Sequence, residues 1–197
     1  VSKNRNRRNM KVLYVSSEVA PFAKTGGLAD VAGSLPIALE EEGVDARVIM
    51  PRFASVKCEK DEVVIGKAVK VYFIRNDDYF NRKELYGDKF GDYADNLDRF
   101  AFFCRQVLER CKAENFKPDV IHCNDWQTAL IPVYLNTLYK YDPFFNGKGV
   151  KVLFTIHNMA YQGLFDKEEF PKTGLDWSLF DIKYFEFYGK VNLMKAG

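Results

Sequence analysis

Apolar residues along this chain follow two rhythms. Short apolar runs at Lys11–Ser17, Ala46–Met50, Val69–Phe73 and Asp119–His122 read as strands. Val150–Ile156 is the most apolar of them, polar only at Lys151, and is expected to be a central strand covered on both faces. Between the strands the period lengthens to that of a helix. Leu28, Val31, Ala32, Leu35 and Leu39 predict a helix to about Glu42, stopped by Gly43 and kinked at Pro36. Leu97, Phe100, Ala101, Cys104, Val107, Leu108 and Cys111 form the buried stripe of a second helix, with Asp95 as candidate cap. A third helix is expected from a cap at Asp125 to about Lys140, with Pro132 inside it. Residues 52–66 are polar apart from Val63–Ile65. Arg75–Asn96 is a loop of the length that is usually functional or disordered. Strands alternating with helices predict an α/β fold, a parallel sheet with helices on both faces.

In such a sheet, ligands bind beyond the carboxyl ends of the strands. Three chemically distinctive turns follow strands here: Lys24-Thr25-Gly26-Gly27, Cys123-Asn124-Asp125-Trp126, and His157 to Gly163. A parallel sheet places all three on one edge, facing one crevice. Gly26 and Gly27 carry no Cβ, so backbone N–H groups can approach a ligand closely. The helix that follows adds orphan N–H groups and a partial positive charge, and Lys24 adds a full one. Such a turn suits an anion, most plausibly a phosphate. It has neither the G-x-G-x-x-G spacing of a dinucleotide site, which argues against a dehydrogenase, nor the Gly-Lys-Ser/Thr ending of a P-loop.

Composition narrows the class. The chain has 197 residues, 47% hydrophobic and 28% charged, enough for one domain with a sizeable core. A net charge of +2 gives no argument for nucleic acid or a membrane surface, and no apolar run approaches the roughly 20 residues of a membrane span. The basic stretch Val1–Asn9 lacks an apolar segment and reads as a disordered leader or expression remnant, with Met10 a plausible natural start. Cys58, Cys104, Cys111 and Cys123 include no C-x-x-C pair, and two histidines argue against a zinc site. Scattered cysteines without a secretory signal fit a cytoplasmic protein.

Three stretches together carry a family resemblance. Lys24-Thr25-Gly26-Gly27-Leu28-Ala29-Asp30-Val31 follows a strand ending Ser16-Ser17-Glu18. His122-Cys123-Asn124-Asp125-Trp126-Gln127 and Thr155-Ile156-His157-Asn158-Met159-Ala160-Tyr161-Gln162-Gly163 come later in the chain. Their order and spread resemble bacterial glycogen synthases and plant starch synthases.

That resemblance implies residues 10–197 as the N-terminal, Rossmann-like, acceptor-side domain of a two-domain GT-B glycosyltransferase, without the C-terminal nucleotide-binding domain. It implies glucosyl transfer from ADP-glucose to the non-reducing end of an α-1,4-glucan such as glycogen, with retention. His157 and Asp125 then lie in the active site, with His157 contacting the donor sugar and not acting as nucleophile. Lys24, Gly26 and Gly27 serve the donor. Tyr93, Asp95 and Asn96 look like the family's Tyr-x-Asp-Asn segment on the acceptor side, and Asn158, Tyr161 and Gln162 line the cleft with less weight. Trp126 reads as core and His122 as structural. No cofactor is expected, and the absence of an Asp-x-Asp triplet fits a transferase that needs no metal. The segment between Pro51 and Val71 is shorter than the family pattern implies. A domain alone is expected to fold but not to transfer glucose. The alternatives are a related enzyme using UDP-glucose, or a non-catalytic glucan- or protein-binding module.

Overall fold

The computed structural model describes residues 9–146 and 149–197. The expected leader falls almost wholly on residues 1–8, outside the described residues.

The chain opens with β1 (Lys11–Val15), crosses to α1 (Gly27–Glu41) and returns as β2 (Asp45–Pro51). An antiparallel ribbon follows, β3 (Glu62–Ile65) and β4 (Val69–Ile74), built from the segment in which only Val63–Ile65 looked apolar. The long polar stretch after it is structured. It contains the one-turn helix α2 (Asp77–Phe80) and a tight hairpin, β5 (Gly87–Asp88) and β6 (Gly91–Asp92). Then come α3 (Asn96–Ala113), β7 (Val120–Asn124), a 3₁₀ turn at Trp126–Thr128, α4 (Leu130–Asn136), the short α5 (Pro143–Asn146) and β8 (Lys151–Thr155). The C-terminal part forms a small antiparallel sheet of β9 (Leu164–Asp166), β10 (Glu186–Phe187) and β11 (Lys190–Asn192), then α6 (Leu193–Ala196).

The main sheet has the order β3-β4-β2-β1-β7-β8, parallel throughout except for β3. β1, β2, β4 and β7 bury successive residues almost without interruption. Neighbouring side chains on a strand point to opposite faces, so both faces of these strands are covered. α1 packs on β2 and β4, while α3 packs on β4 and α4.

Three expectations need correction. The run Val150–Ile156 forms β8, but β8 is the edge of the sheet and not its centre. Leu153 is 51% exposed and Ile156 42%. An apolar run reports that a strand suits an apolar neighbour, not which residues supply one, and among the described residues nothing covers this strand's outer side. The third helix stops at Asn136 and does not reach Lys140. Asn136 Nδ2 bonds the Pro132 carbonyl and Thr137 Oγ1 that of Val133, so side chains take over the acceptors of the last turn. Finally, neither Asp95 nor Asp125 caps a helix through its side chain. Both carboxylates are engaged elsewhere. Pro36 lies within the continuous span of α1.

Candidate active site

The turns at the carboxyl ends of β1, β7 and β8 meet around an open cleft of about 930 Å³. Its walls include Gly26, Gly27, Asn96, Asp125, His157, Asn158, Tyr161 and Gln162. Lys24, Tyr93 and Asp95 are not in that wall. Tyr93 lines a neighbouring shallow depression that shares Thr25 and Tyr86 with the cleft.

The glycine turn differs from its simplest reading. A Cβ on Gly26 or Gly27 would meet nothing within 4 Å, and Gly26 sits in extended backbone with φ −149°. Packing therefore has no need of either glycine, and the missing side chains leave room at the cleft. The N–H groups of Thr25 and Gly26, however, do not face that room. Both donate to Glu18 Oε2, while Thr25 Oγ1 and Tyr86 Oη donate to Oε1 at 2.6 and 2.8 Å. An internal carboxylate thus takes part of the nest in which an external anion was expected. The N–H groups of the first turn of α1, which have no intrahelical partner, remain for a ligand.

Glu18 is only 4% exposed, and four donors replace its lost hydration. Ser17 Oγ lies 2.7 Å from the Tyr86 hydroxyl, and burial together with the Glu18 charge raises the Tyr86 phenol well above its ordinary range, so it stays a donor. Sequence reasoning quoted Glu18 and gave it no role. Its only signal was an acidic residue at the end of a strand that would bury it. In Glu18→Gln an amide NH₂ would face donors. The variant is expected to lose about 1–3 kcal/mol of stability and to speed amide exchange at Thr25 and Gly26. Unchanged exchange at those two positions would show that the carboxylate does not hold the turn.

Lys24 Nζ bonds both oxygens of Asp30 at 2.7 Å, in a pair more than half exposed. Such a pair contributes only about 0–1 kcal/mol. A phosphate could draw the ammonium away at little cost.

Asp125 is bent out of the ordinary backbone regions, with φ 55° and ψ 177°. A non-glycine residue there stores about 1–3 kcal/mol of strain. Three hydrogen bonds hold it: its N–H donates to Thr155 O at 2.9 Å, and its Oδ1 accepts from His157 N at 2.7 Å and Asn158 N at 3.4 Å. Asp125 therefore ties the β7 turn to the β8 turn. His157 Nε2 lies 2.9 Å from Asn124 Oδ1. His122 is buried against Thr155 Oγ1 at 2.8 Å, and burial lowers its pKa, with the His157 charge adding to the effect. Its ring is held by this internal contact and is assigned no role of its own in the cleft. Trp126 is also core, 8% exposed and edge-on to Phe100 and Phe165. Gly163 fits beneath it because a Cβ there would sit 2.7 Å from the indole.

The acceptor-side candidates are more internally engaged. Asp95 forms a two-point pair with Arg82. Tyr93 stacks against the Arg82 and Arg99 guanidiniums, at 4.8 and 5.1 Å. Asn96 is 1% exposed and spends its amide on Tyr86 O and Arg99. Asn158 Oδ1 bonds Ala160 N, and Gln162 bonds Met159 O and Asn192 Nδ2. Tyr161 is 66% exposed at the rim. Among the described residues, no three His, Cys, Asp or Glu side chains converge as a metal-binding group. All four cysteines are unpaired, and burial pushes the Cys104 and Cys111 thiols up to about 12.

Fold and cleft together define an open parallel α/β domain with a polar crevice at the strands' carboxyl ends and a helix N-terminus at its edge. Comparison with known proteins makes the class specific. The family model described as starch synthase catalytic domain matches residues 11–197, and the chain belongs to that family. It is 51% identical to a glycogen synthase of Geotalea uraniireducens and 41% identical to one of Thermotoga maritima, in each case over 95% of this chain and 43% of the relative. The chain thus spans less than half the length of these curated relatives. Among solved structures it resembles the catalytic domain of Starch Synthase IV from Arabidopsis thaliana bound to ADP and acarbose, with a TM-score of 0.77 at 28% identity over 95% of this chain and 43% of that one. The GT-B expectation agrees with this likeness.

Proposed function

We propose that this chain forms the acceptor-side wall of a glycogen or starch synthase. The proposed reaction moves glucose from ADP-glucose to the 4-hydroxyl at the non-reducing end of an α-1,4-glucan, with retention. The bond from C1 to the diphosphate breaks and a bond from the acceptor oxygen to C1 forms. The carrying observation is the meeting of the glycine turn, Asp125 and His157 in one cleft, in a chain of this family. The ADP in the starch synthase structure supports the donor assignment.

In this reading Lys24 leaves Asp30 to meet the diphosphate, and the first turn of α1 adds its dipole. Asp125 positions the His157 loop, and His157 meets the donor sugar. Tyr161 offers its exposed ring to the glucan at the rim, and Tyr93, packed on two guanidiniums, lines the adjoining depression. The opposite wall, with the base pocket, lies in the further length that the relatives carry. The reaction is assigned no metal, on the ground that the sequence has no Asp-x-Asp triplet. No helix among the described residues is long and apolar enough to cross a membrane. The unpaired cysteines support a cytoplasmic location.

The test is a chimera in which residues 11–197 replace the matching part of the Geotalea uraniireducens glycogen synthase. It is expected to incorporate glucose from ADP-glucose into glycogen, whereas the 197-residue chain alone does not. Lys24→Ala in the chimera removes a charge-assisted contact of about 1.5–3 kcal/mol. Calorimetry should then show ADP-glucose bound about tenfold more weakly or worse. Equal affinity with and without Lys24 would overturn the donor role of the turn.

A further inference from the structure

Asn124 is fully buried between β1 and the cleft, and its amide has no unused hydrogen-bonding capacity. Nδ2 donates to two backbone carbonyls, Val15 O at 2.9 Å and His122 O at 3.2 Å. Those acceptors fix which end of the amide is which. A flipped amide would set its oxygen against two carbonyl oxygens, which no hydrogen atom could reconcile. Oδ1 therefore faces the other way, where it accepts from the Tyr14 hydroxyl at 3.0 Å and meets His157 Nε2 at 2.9 Å. Tyr14 is itself fully buried, and burial, reinforced by the Asp125 charge, pushes its phenol up to about 12, so it keeps its proton.

The same geometry decides the histidine. An amide oxygen has no proton to give, so a 2.9 Å contact with it is a hydrogen bond only if Nε2 carries one. The tautomer protonated at Nδ1 would point a nitrogen lone pair at an oxygen lone pair. Protonating the ring to the imidazolium leaves the Nε2–H bond as it was. Nδ1, which has no partner among the described residues, belongs to an exposed side chain in the cleft wall.

We infer that Asn124 is a positioning residue that locks His157 as its Nε2–H tautomer and leaves Nδ1, without a partner among the described residues, as a hydrogen-bond acceptor for a ligand hydroxyl. The identity of the hydroxyl as a sugar's rests on the function proposed above. The tautomer does not.

The test is a long-range ¹H–¹⁵N correlation spectrum of the ¹⁵N-labelled 197-residue chain. With two histidines in the sequence, His157→Gln assigns the signals. In the neutral ring, His157 should show a pyrrole-type Nε2 and a pyridine-type Nδ1. A pyrrole-type Nδ1, or two averaged nitrogens, would overturn the inference without recourse to any variant at Asn124. Asn124→Ala, checked for fold by its amide spectrum, should move both His157 nitrogens toward averaged positions. Tyr14→Phe, which leaves the Nε2 contact in place, should not. If Asn124→Ala is folded and keeps the native pattern, Asn124 is not what sets the tautomer. All of this is read without donor or acceptor, so a failed transferase assay and a failed tautomer assignment cannot be confused.

Discussion

Arg99→Ala is expected to destabilise the domain by about 3 kcal/mol or more. Arg99 lies in α3 with none of its surface exposed. Its guanidinium donates to Tyr79 O at 2.7 Å, Asn96 Oδ1 at 2.6 Å and Leu85 O at 3.0 Å. It also lies over the rings of Phe80, Phe100 and Tyr93. Burial, with the nearby Arg82 charge, pulls its pKa down to about 10. The side chain is therefore an internal post around which residues 79–96 are wrapped. Alanine would leave three buried acceptors without donors and a void between aromatic rings. Urea unfolding measures the loss, and amide exchange in residues 79–88 should rise before the rest of the domain opens. Arg99→Lys should recover little, because a single ammonium cannot span the three acceptors as the planar fork does. A midpoint within about 0.5 kcal/mol of the parent would show that the segment is held by its apolar contacts alone.

The second large effect concerns activity. In the chimeric synthase, Asp125→Ala is expected to lower glucosyl transfer by about 10²-fold, the scale set by small displacements of a reacting group. Alanine removes the acceptor that ties down His157 N and Asn158 N while leaving a Cβ at positive φ. Asp125→Gly relieves the strain yet leaves the loop untied, so it should fold better than Asp125→Ala and be no more active. Asp125→Asn keeps Oδ1 as acceptor and should retain most of the positioning. The three variants separate anchor from charge. If asparagine is as damaging as alanine, the carboxylate acts on the reaction through its charge and not through the loop. If alanine costs less than about threefold, neither role holds.

Much of the fold was legible because it depends on local pattern. All five expected strands and the first two helices lie where the apolar and helical runs placed them, and only the place of β8 within the sheet differs. The convergence of the β1, β7 and β8 turns followed from parallel topology alone. Other features follow from contacts between residues far apart in sequence. Arg99 looks like any surface arginine beside Phe100, since only the folded segment shows three carbonyls aimed at one spot. Glu18 and Asp125 each follow a strand and precede a helix or 3₁₀ turn, and sequence treats such acids as caps or solvated residues. In the structure Glu18 braces the glycine turn of its own connection and Asp125 holds down the His157 loop.

The sequence by itself determined the alternation of strands and helices, the edge of the sheet where the three motif turns meet, and the family. These follow from side-chain periodicity and short motifs, which are properties of neighbours along the chain. Only the tertiary structure decided that β8 is an edge strand and that the glycine turn is braced by an internal carboxylate. It alone showed that Asp125 bonds the His157 loop and that Asn124 faces His157 with its oxygen. Each of these depends on which distant group fills a donor or acceptor, and burial makes that choice binding because an unfilled one has no water to turn to.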